Sequence, residues 1–252
     1  MLTFSLQSGS NGNSIYVEAD GVRLLFDAGI SGRQAKLRMA EHERDIRDVD
    51  ALLLTHDHSD HASCAGIYQR LFDIPIIATE GTLRVSRRQL GKVRDVRSFQ
   101  AGAVLEFGPV VVHTAATPHD AVDGVTYVVE CGGKRLGIFT DLGHPNDALA
   151  AQLESVDAAY LESNYDPVML EEGPYPPALK DRIRGAGGHL SNEEAADLLQ
   201  LCDGRHQWIV LAHLSEHNNH PSAALKTHRA LLGEQRQLHV AGRYGVSEAH
   251  SL

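Results

Sequence analysis

The sequence predicts an α+β fold in which two β-sheets pack face to face with helices on the outside. Three observations predict it. Strand-like runs recur along the whole chain, the first three form a meander with no helix between them, and the later ones alternate with helical segments. Asp27, His56, His119, Asp141, Glu162 and His213 all fall where these strands end. Strand ends along one edge of such a sandwich can converge on one cleft.

The elements follow in order. Thr3–Gln7, Ser14–Ala19 and Val22–Phe26 read as the opening meander, with Asp20-Gly21 as the tight turn between the second and third runs. A helix fits Ser31–His42, where Ser31 can cap and Ala35 and Met39, four apart, offer an apolar side. Ala51–Leu54 is a short buried strand, Ser59–Phe72 the helix after its loop, and Ile76–Thr79 the next strand. Val110–Ala115, Thr126–Cys131 and Arg135–Phe139 are three more strands, the last two joined by Gly132-Gly133. A helix over Pro145–Leu153 begins on proline, where a missing N–H costs nothing. Ala158–Leu161 and Trp208–Leu211 are buried strands, and Gln237–Ala241 is a final strand. Ser191–Leu201 is a helix opened by a Ser191/Glu194 capping box, and Pro221–Leu232 is another.

With 252 residues and no low-complexity segment, long linker or internal repeat, residues 1–252 read as a single domain. No run reaches the roughly 20 apolar residues of a membrane helix. The opening Met1-Leu2-Thr3-Phe4-Ser5 has neither the basic region nor the apolar core of a secretion signal. Cys64, Cys131 and Cys202 are odd in number, widely spaced and form no CxxC pair, which points to free thiols in a reducing cytoplasm. A formal charge of −10 argues against a sequence-independent basic nucleic-acid surface. It does not exclude a nucleic-acid substrate, because bound dications supply positive charge where a phosphate sits.

The segment Thr55-His56-Asp57-His58-Ser59-Asp60-His61 carries the chemistry. Three imidazoles and two carboxylates follow directly on an apolar run, a donor set that suits divalent zinc, manganese or iron. In the His56-Asp57-His58 step, alternate residues of an extended loop point to one side and can face one ion. Asp60 and His61, near a helix start, can face a second ion. The positive end of that helix disfavours cations, which Asp57 and Asp60 would offset. Two adjacent metals imply hydrolysis by in-line attack.

These residues match the HxHxDH motif and resemble the metallo-β-lactamase superfamily. Phe26-Asp27-Ala28-Gly29, Pro118-His119, Phe139-Thr140-Asp141 and Ala212-His213-Leu214 are similar to its other motifs, in the same order. The resemblance implies a four-layer αββα sandwich. It also implies that His56, His58 and His119 bind one metal, that Asp60, His61 and His213 bind a second, and that Asp141 bridges them. Asp27 reads instead as a buried carboxylate that orients the metal loop.

Further segments narrow the resemblance. Ser8-Gly9-Ser10-Asn11-Gly12-Asn13, Pro118-His119-Asp120-Ala121, Glu162-Ser163-Asn164-Tyr165-Asp166, Gly188-His189-Leu190-Ser191-Asn192 and the run from Ala212 to Asn219 are similar to segments of the WalJ/YycJ branch, described as DNA exonuclease-like. Val122–Tyr127 departs from that pattern. The spacing from Asp141 to His213, 213 − 141 = 72 residues, leaves no room for the extra domain of the RNA-processing β-CASP enzymes.

The resulting expectation is a dinuclear metal phosphodiesterase, a nuclease acting on DNA, in which a hydroxide held between the ions attacks phosphorus. Asp60 would orient it, and His189 or His217 would protonate the departing oxygen. Ser10, Asn11 and Asn13 in the opening loop, and Asn218, would contact substrate. Lys180, Arg182 and Arg184 form a modest basic run that reads first as a solvated helix face and second as a contact for a phosphate backbone. The rivals are a lactonase or thioesterase on the same site, and a regulatory protein whose metals are structural.

Overall fold

Strands buried on both faces have continuous apolar runs rather than alternating ones, and this chain builds two sheets of that kind. A computed structural model of the chain describes residues 1–202 and 206–252. The first sheet contains β1 (Leu2–Gln7), β2 (Ser14–Ala19), β3 (Val22–Phe26), β4 (Ala51–Leu53), β5 (Ile76–Thr79), β6 (Val96–Phe99) and β14 (His250–Ser251), in the order β14-β1-β2-β3-β4-β5-β6. The second contains β7 (Val104–Phe107), β8 (Val110–Ala116), β9 (Val125–Cys131), β10 (Lys134–Phe139), β11 (Ala158–Glu162), β12 (Trp208–Ala212) and β13 (Leu238–Val240), in the order β13-β12-β11-β10-β9-β8-β7.

The two-residue side-chain period divides each run between two cores. Ile15, Val17, Leu24 and Phe26 face Leu136, Ile138, Tyr160 and Val210 in the layer between the sheets. The residues between them face outward. Tyr16 and Leu25 pack with Ala35, Met39 and Tyr68 on the first side. Phe139, Leu161 and Leu211 pack with Leu149, Leu153, Leu198 and Ala224 on the second. Helices α1 (Gly32–Glu41), α2 (Ser59–Ala62), α3 (Ala65–Phe72) and α4 (Glu80–Leu90) accompany the first sheet, and α5 (Asp147–Glu154), α8 (Asn192–Gln200) and α9 (Pro221–Leu232) cover the second. Two short helices, α6 (Pro167–Glu172) and α7 (Pro177–Arg184), lie between β11 and α8 in the chain. The result is a four-layer αββα sandwich.

Strand direction positions the site. β1 and β3 are each antiparallel to β2, and β4 is parallel to β3. β8 and β10 are each antiparallel to β9, and β10, β11 and β12 are mutually parallel neighbours. Within each sheet, the strands that carry polar residues at their C-terminal ends therefore run the same way.

Several elements differ from the sequence expectation. The helix expected over Ser59–Phe72 is two helices. Its break at Cys64 follows from lost carbonyl acceptors: the Asp60 carbonyl accepts from Asn13 N–H (2.8 Å), the His61 carbonyl from Ala28 N–H (2.6 Å), and Cys64 N–H donates to Ala28 (2.8 Å). The helix expected from Pro145 starts instead at Asp147, because Asn146 Oδ1 caps the Leu149 N–H (2.9 Å). Helix α4 buries only Gly81, Thr82, Ser86 and Leu90, so it lacks the apolar period that reveals a helix. Edge strands β6 and β7 are short, with Arg97 and Ser98 exposed in the first and Val104 and Glu106 in the second. The Ser191/Glu194 and Ser31/Gln34 capping boxes are both formed. Among the described residues, no helix is long and apolar enough to cross a membrane.

One buried histidine makes the fold acid-sensitive. His228, fully buried on α9, donates Nδ1–H to the Ala224 carbonyl (2.9 Å). Burial lowers its pKa to about 4 from an ordinary 6.5. The unfolded chain thus binds the proton more readily, and stability present above pH 6.5 is lost as pH falls toward 4, by up to about 3 kcal/mol. His228→Leu should remove that share of the acid loss, read as the change in urea midpoint between pH 7.5 and 5. Equal acid losses in variant and wild type would refute it.

Candidate metal centre

Three strand-end residues turn back sharply. Asp27, Asp141 and His213 sit at positive φ (66°, 58° and 54°), directly after β3, β10 and β12 or one residue beyond. Left-handed backbone costs a non-glycine residue about 1–2 kcal/mol, least for Asp, and such strain gathers where a site over-determines the backbone. The loop from β3 and the metal loop are stitched together through the carbonyls named above. Gly29 makes this possible, since a Cβ there would lie 1.7 Å from the Asp60 carbonyl oxygen.

The sequence-predicted ligands come together. His56, His58 and His119 form one group, Asp60, His61 and His213 a second, and His56, His61 and Asp141 a third between them, with candidate ligand atoms within 4.8 Å of one another in each. His119 Nδ1–H donates to the Gly188 carbonyl (2.9 Å), which leaves Nε2 facing His58 Nδ1 at 3.2 Å. His61 Nδ1–H donates to Asp27 Oδ2 (2.7 Å), and its Nε2 faces Asp141 Oδ2 at 3.1 Å. His213 Nε2 lies 3.2 Å from Asp60 Oδ2. Such outer hydrogen bonds fix which ring nitrogen is offered to a metal. Asp27 also accepts from the backbone N–H (2.8 Å) and hydroxyl of Thr55. It therefore sits beneath the loop as the orienting carboxylate.

The electrostatics call for cations. Burial alone would raise Asp60, but His61 and His213 outweigh it and hold the carboxyl far below its usual range. Asp141 is buried too and is held well below its ordinary value by His213 and His61. Burial would lower His213, yet Asp141, Asp60 and Glu162 push it up to about 10. Burial drives His56 well below its ordinary value, helped by neighbouring imidazoles. Its Nδ1 meets Thr55 Oγ1 (2.9 Å), while its buried Nε2 has no hydrogen-bond partner. A neutral imidazole with an unpartnered nitrogen aimed among carboxylates is the donor set of a divalent metal. The residues present fit two such ions.

Other expected residues separate into two groups. His189 joins the site: its Nδ1–H donates to Glu162 Oε1 (2.7 Å), and it groups with Asp141, Glu162 and His213. Burial would raise Glu162, but His189 and His213 bring it down to about 2, so it is the accepting carboxylate. Ser10 lines the cleft, a cavity of about 330 Å³. Asn13 is buried, its Nδ2 3.0 Å from His61 Nε2 and 3.4 Å from Asp60 Oδ2, so it props ligands rather than facing solvent. Asn11 is exposed, and its carbonyl accepts from Gln7 Nε2. His217 does not join the cluster: its exposed ring sits edge-on to Tyr175 at 5.7 Å. Asn218 is fully buried and braces a turn, Nδ2–H donating to Ser215 Oγ (3.2 Å) and its carbonyl accepting from Asp166 N–H. The carboxylate of Asp57 is taken by Val122 N–H (2.9 Å) rather than by the helix start.

Two pairings in the cleft are visible only in the fold. Arg182 of α7 reaches the cleft wall and pairs with Asp120 (Nε to Oδ2, 2.6 Å), whose other oxygen lies 3.5 Å from His119 Nε2. Sixty-two residues separate the pair, and no spacing rule spans them. The pairing of Glu162 with His189 and His213 likewise needs the fold, although an acid ending the apolar strand Ala158–Leu161 is a visible signal.

Comparison with known proteins decides the family. A family model described as the metallo-beta-lactamase superfamily matches residues 8–183. The chain belongs to that superfamily. It is thereby placed among metal-dependent hydrolases, as its HxHxDH motif implies. It is 34% identical over 250 residues to a Bacillus anthracis protein named exodeoxyribonuclease YycJ, covering 98% of this chain and 92% of that one. It is 36% identical over 219 residues to a Streptococcus pneumoniae protein named exodeoxyribonuclease WalJ, covering 85% and 81%. Among solved structures, Bacillus subtilis YhfI superposes with a TM-score of 0.76 at 16% identity, covering 98% of both chains. Zinc-bound PqqB from Methylobacterium extorquens superposes with a TM-score of 0.75 at 19% identity, covering all of both chains. These two structures establish the superfamily's fold alone.

The tether through Asp27 makes a prediction. Asp27→Asn keeps the size and the tolerance of positive φ but removes the charge that fixes His61. Loss of such an outer partner typically costs 10- to 100-fold in metal affinity. Competition with a chromophoric chelator should show about that weakening with an unchanged far-UV spectrum. Affinity equal to wild type would show that Asp27 does not orient the ligand.

Proposed function

We propose that the chain is a dinuclear metal-dependent phosphodiesterase that removes nucleotides from DNA. The observation that carries this reading is that two ligand groups, His56/His58/His119 and Asp60/His61/His213, lie in one cleft with a third group, His56/His61/Asp141, between them. The names of the two relatives at 34% and 36% identity support DNA as the substrate. His56, His58 and His119 would hold one ion, Asp60, His61 and His213 the other, and Asp141 both.

Bound divalent ions would neutralise phosphoryl charge and lower the pKa of water. The chain's own residues do the rest. Asp60 fixes the position of His213 and orients the attacking water. Arg182, held at its Nε by Asp120, keeps its terminal nitrogens for a phosphate oxygen, a geometry suited to guanidinium. His189, as the imidazolium with both ring nitrogens protonated, donates a proton from Nε2 to the departing oxygen and is left as the neutral ring, while Glu162 accepts its Nδ1–H and orients it. Ser10 lines the same cleft.

The cleft disfavours the acyl rivals. Its lining is polar or charged throughout, whereas an acyl thioester or lactone needs an apolar wall. A purely structural role fits poorly as well, because structural zinc sites are closed by four ligands around one ion.

Two measurements test the assignment. End-labelled duplex DNA and a nitrophenyl diester should both be cleaved with manganese or zinc, with activity lost on chelation and in Asp60→Ala. Undiminished Asp60→Ala activity would exclude the mechanism. His189→Ala should slow DNA cleavage by about 10²- to 10⁴-fold and the nitrophenyl diester, whose leaving group needs no proton, far less. Equal losses on the two substrates would remove His189 from leaving-group protonation.

A further inference from the structure

A second cavity lies beside the metal cleft, behind the loop that follows β1. It has a volume of about 570 Å³ and is lined by Ser8, Leu214, Glu216, Arg243 and Tyr244, among others. The loop is its shared wall with the cleft. Ser8 lines this cavity and Ser10 lines the cleft. Ser8 Oγ accepts the backbone N–H of the ligand His213 (2.8 Å), and Leu214 is the next residue in the chain.

The tip of a rigid turn supplies its chemistry. A Cβ on Gly242 would lie 2.6 Å from the Gly245 carbonyl oxygen, so the turn from 242 to 245 is tightly closed. Ser8 N–H bonds the Gly242 carbonyl (3.0 Å), and Arg38 Nη2 bonds the Tyr244 carbonyl (2.9 Å). The turn displays Tyr244, 66% exposed, with its hydroxyl donating to Glu216 Oε1 at 2.6 Å. Arg243 Nη2 bonds the Leu214 carbonyl, while its buried Nη1 has no hydrogen-bond partner. An exposed aromatic face, a carboxylate acceptor and the Arg243 side chain line one space of ligand size. Glu216 makes the hollow a poor phosphate site. A nucleobase suits all three groups, because its face stacks on tyrosine and its edge offers both donors and acceptors.

We propose that this cavity is a nucleobase subsite, in which Tyr244 stacks on the base neighbouring the scissile phosphate and Glu216 and Arg243 meet its edge. The inference rests on the phosphodiesterase reading for its role in turnover, but not for binding itself. Two experiments separate them. Titration of the metal-loaded full chain with deoxycytidine or deoxyguanosine, which carry no phosphate for the metal cleft, should shift the amide resonances of Gly242–Gly245 and Glu216. Absence of those shifts overturns the subsite whatever the enzyme hydrolyses. In turnover, replacing the base next to the cleaved bond with an abasic residue should lower kcat/KM about tenfold, as expected for loss of one stacked base. Tyr244→Ala should abolish that difference and reduce DNA cleavage about tenfold more than cleavage of a small nitrophenyl diester. If the variant still distinguishes abasic from intact DNA by the wild-type ratio, Tyr244 is not the stacking platform. If wild type cleaves no diester while the nucleoside shifts persist, the phosphodiesterase reading fails and the subsite stands.

Discussion

Four carboxylates, Asp27, Asp60, Asp141 and Glu162, gather at one edge of the sandwich, and three of them are fully or almost fully buried. Burying an acid is costly unless opposite charge and hydrogen bonds reach it. Each is therefore matched: Asp27 by Thr55 and His61, Glu162 by His189 and the N–H groups of Leu142 and Leu190, Asp60 and Asp141 by His61 and His213. The pattern has two shells. Asp27 and Glu162 are satisfied by the protein alone and hold imidazoles in place. Asp60 and Asp141 share the same imidazoles, and Asp141 Oδ2 still lacks a hydrogen bond. That residual demand for positive charge is what bound divalent metal would meet.

The fold concentrates this charge by topology rather than by local sequence. Because β1 and β3 run together and β8 and β10 run together, the loops that follow them emerge in pairs from each sheet. Ligands 157 residues apart, His56 and His213, reach one cleft without any strand leaving its layer. The same economy explains the broken helix at Cys64. A continuous helix would use the Asp60 and His61 carbonyls internally; giving them to Asn13 and Ala28 anchors the ligand side chains instead. Local helical bonding yields to the site, at a backbone cost the surrounding packing over-determines.

How much of this was legible depends on the range of each interaction. The residues that gather in the cleft stood out because imidazoles and acids at strand ends have no comparable use in a core, and the HxHxDH spacing is local. The two apolar faces of β10, β11 and β12 were readable as continuous runs. Asp27 was readable as a tether, since an acid ending an apolar strand must find a partner. By contrast, α4 hides behind a small, polar buried face, and Arg182 joins the cleft only through Asp120. His217 and Asn218 were attractive in a His-Asn-Asn run, yet the turn after Ser215 points the histidine outward and folds the asparagine under the backbone. Short-range pattern reports which residues can do chemistry; only the path of the loop decides which face the cleft.

An acidic chain acting on a polyanion needs its attraction to be local. With a Debye length near 8 Å at physiological ionic strength, the net charge of −10 matters less to a bound strand than the few charges within reach of its phosphates. Inside the cleft those are Arg182 and the cations the carboxylates demand. Beside it lie Arg243 and an aromatic face rather than a basic stripe. On the proposed reading, such a surface would grip through the reacting phosphate and a neighbouring base, not along an extended backbone. Removing the ions would therefore cost substrate affinity as well as chemistry, since the apo cleft presents an acidic wall to the phosphate. On the proposed reading, the same acids that would hold the ions make the empty site repel a phosphodiester, which would couple substrate binding to metal binding through Asp60 and Asp141.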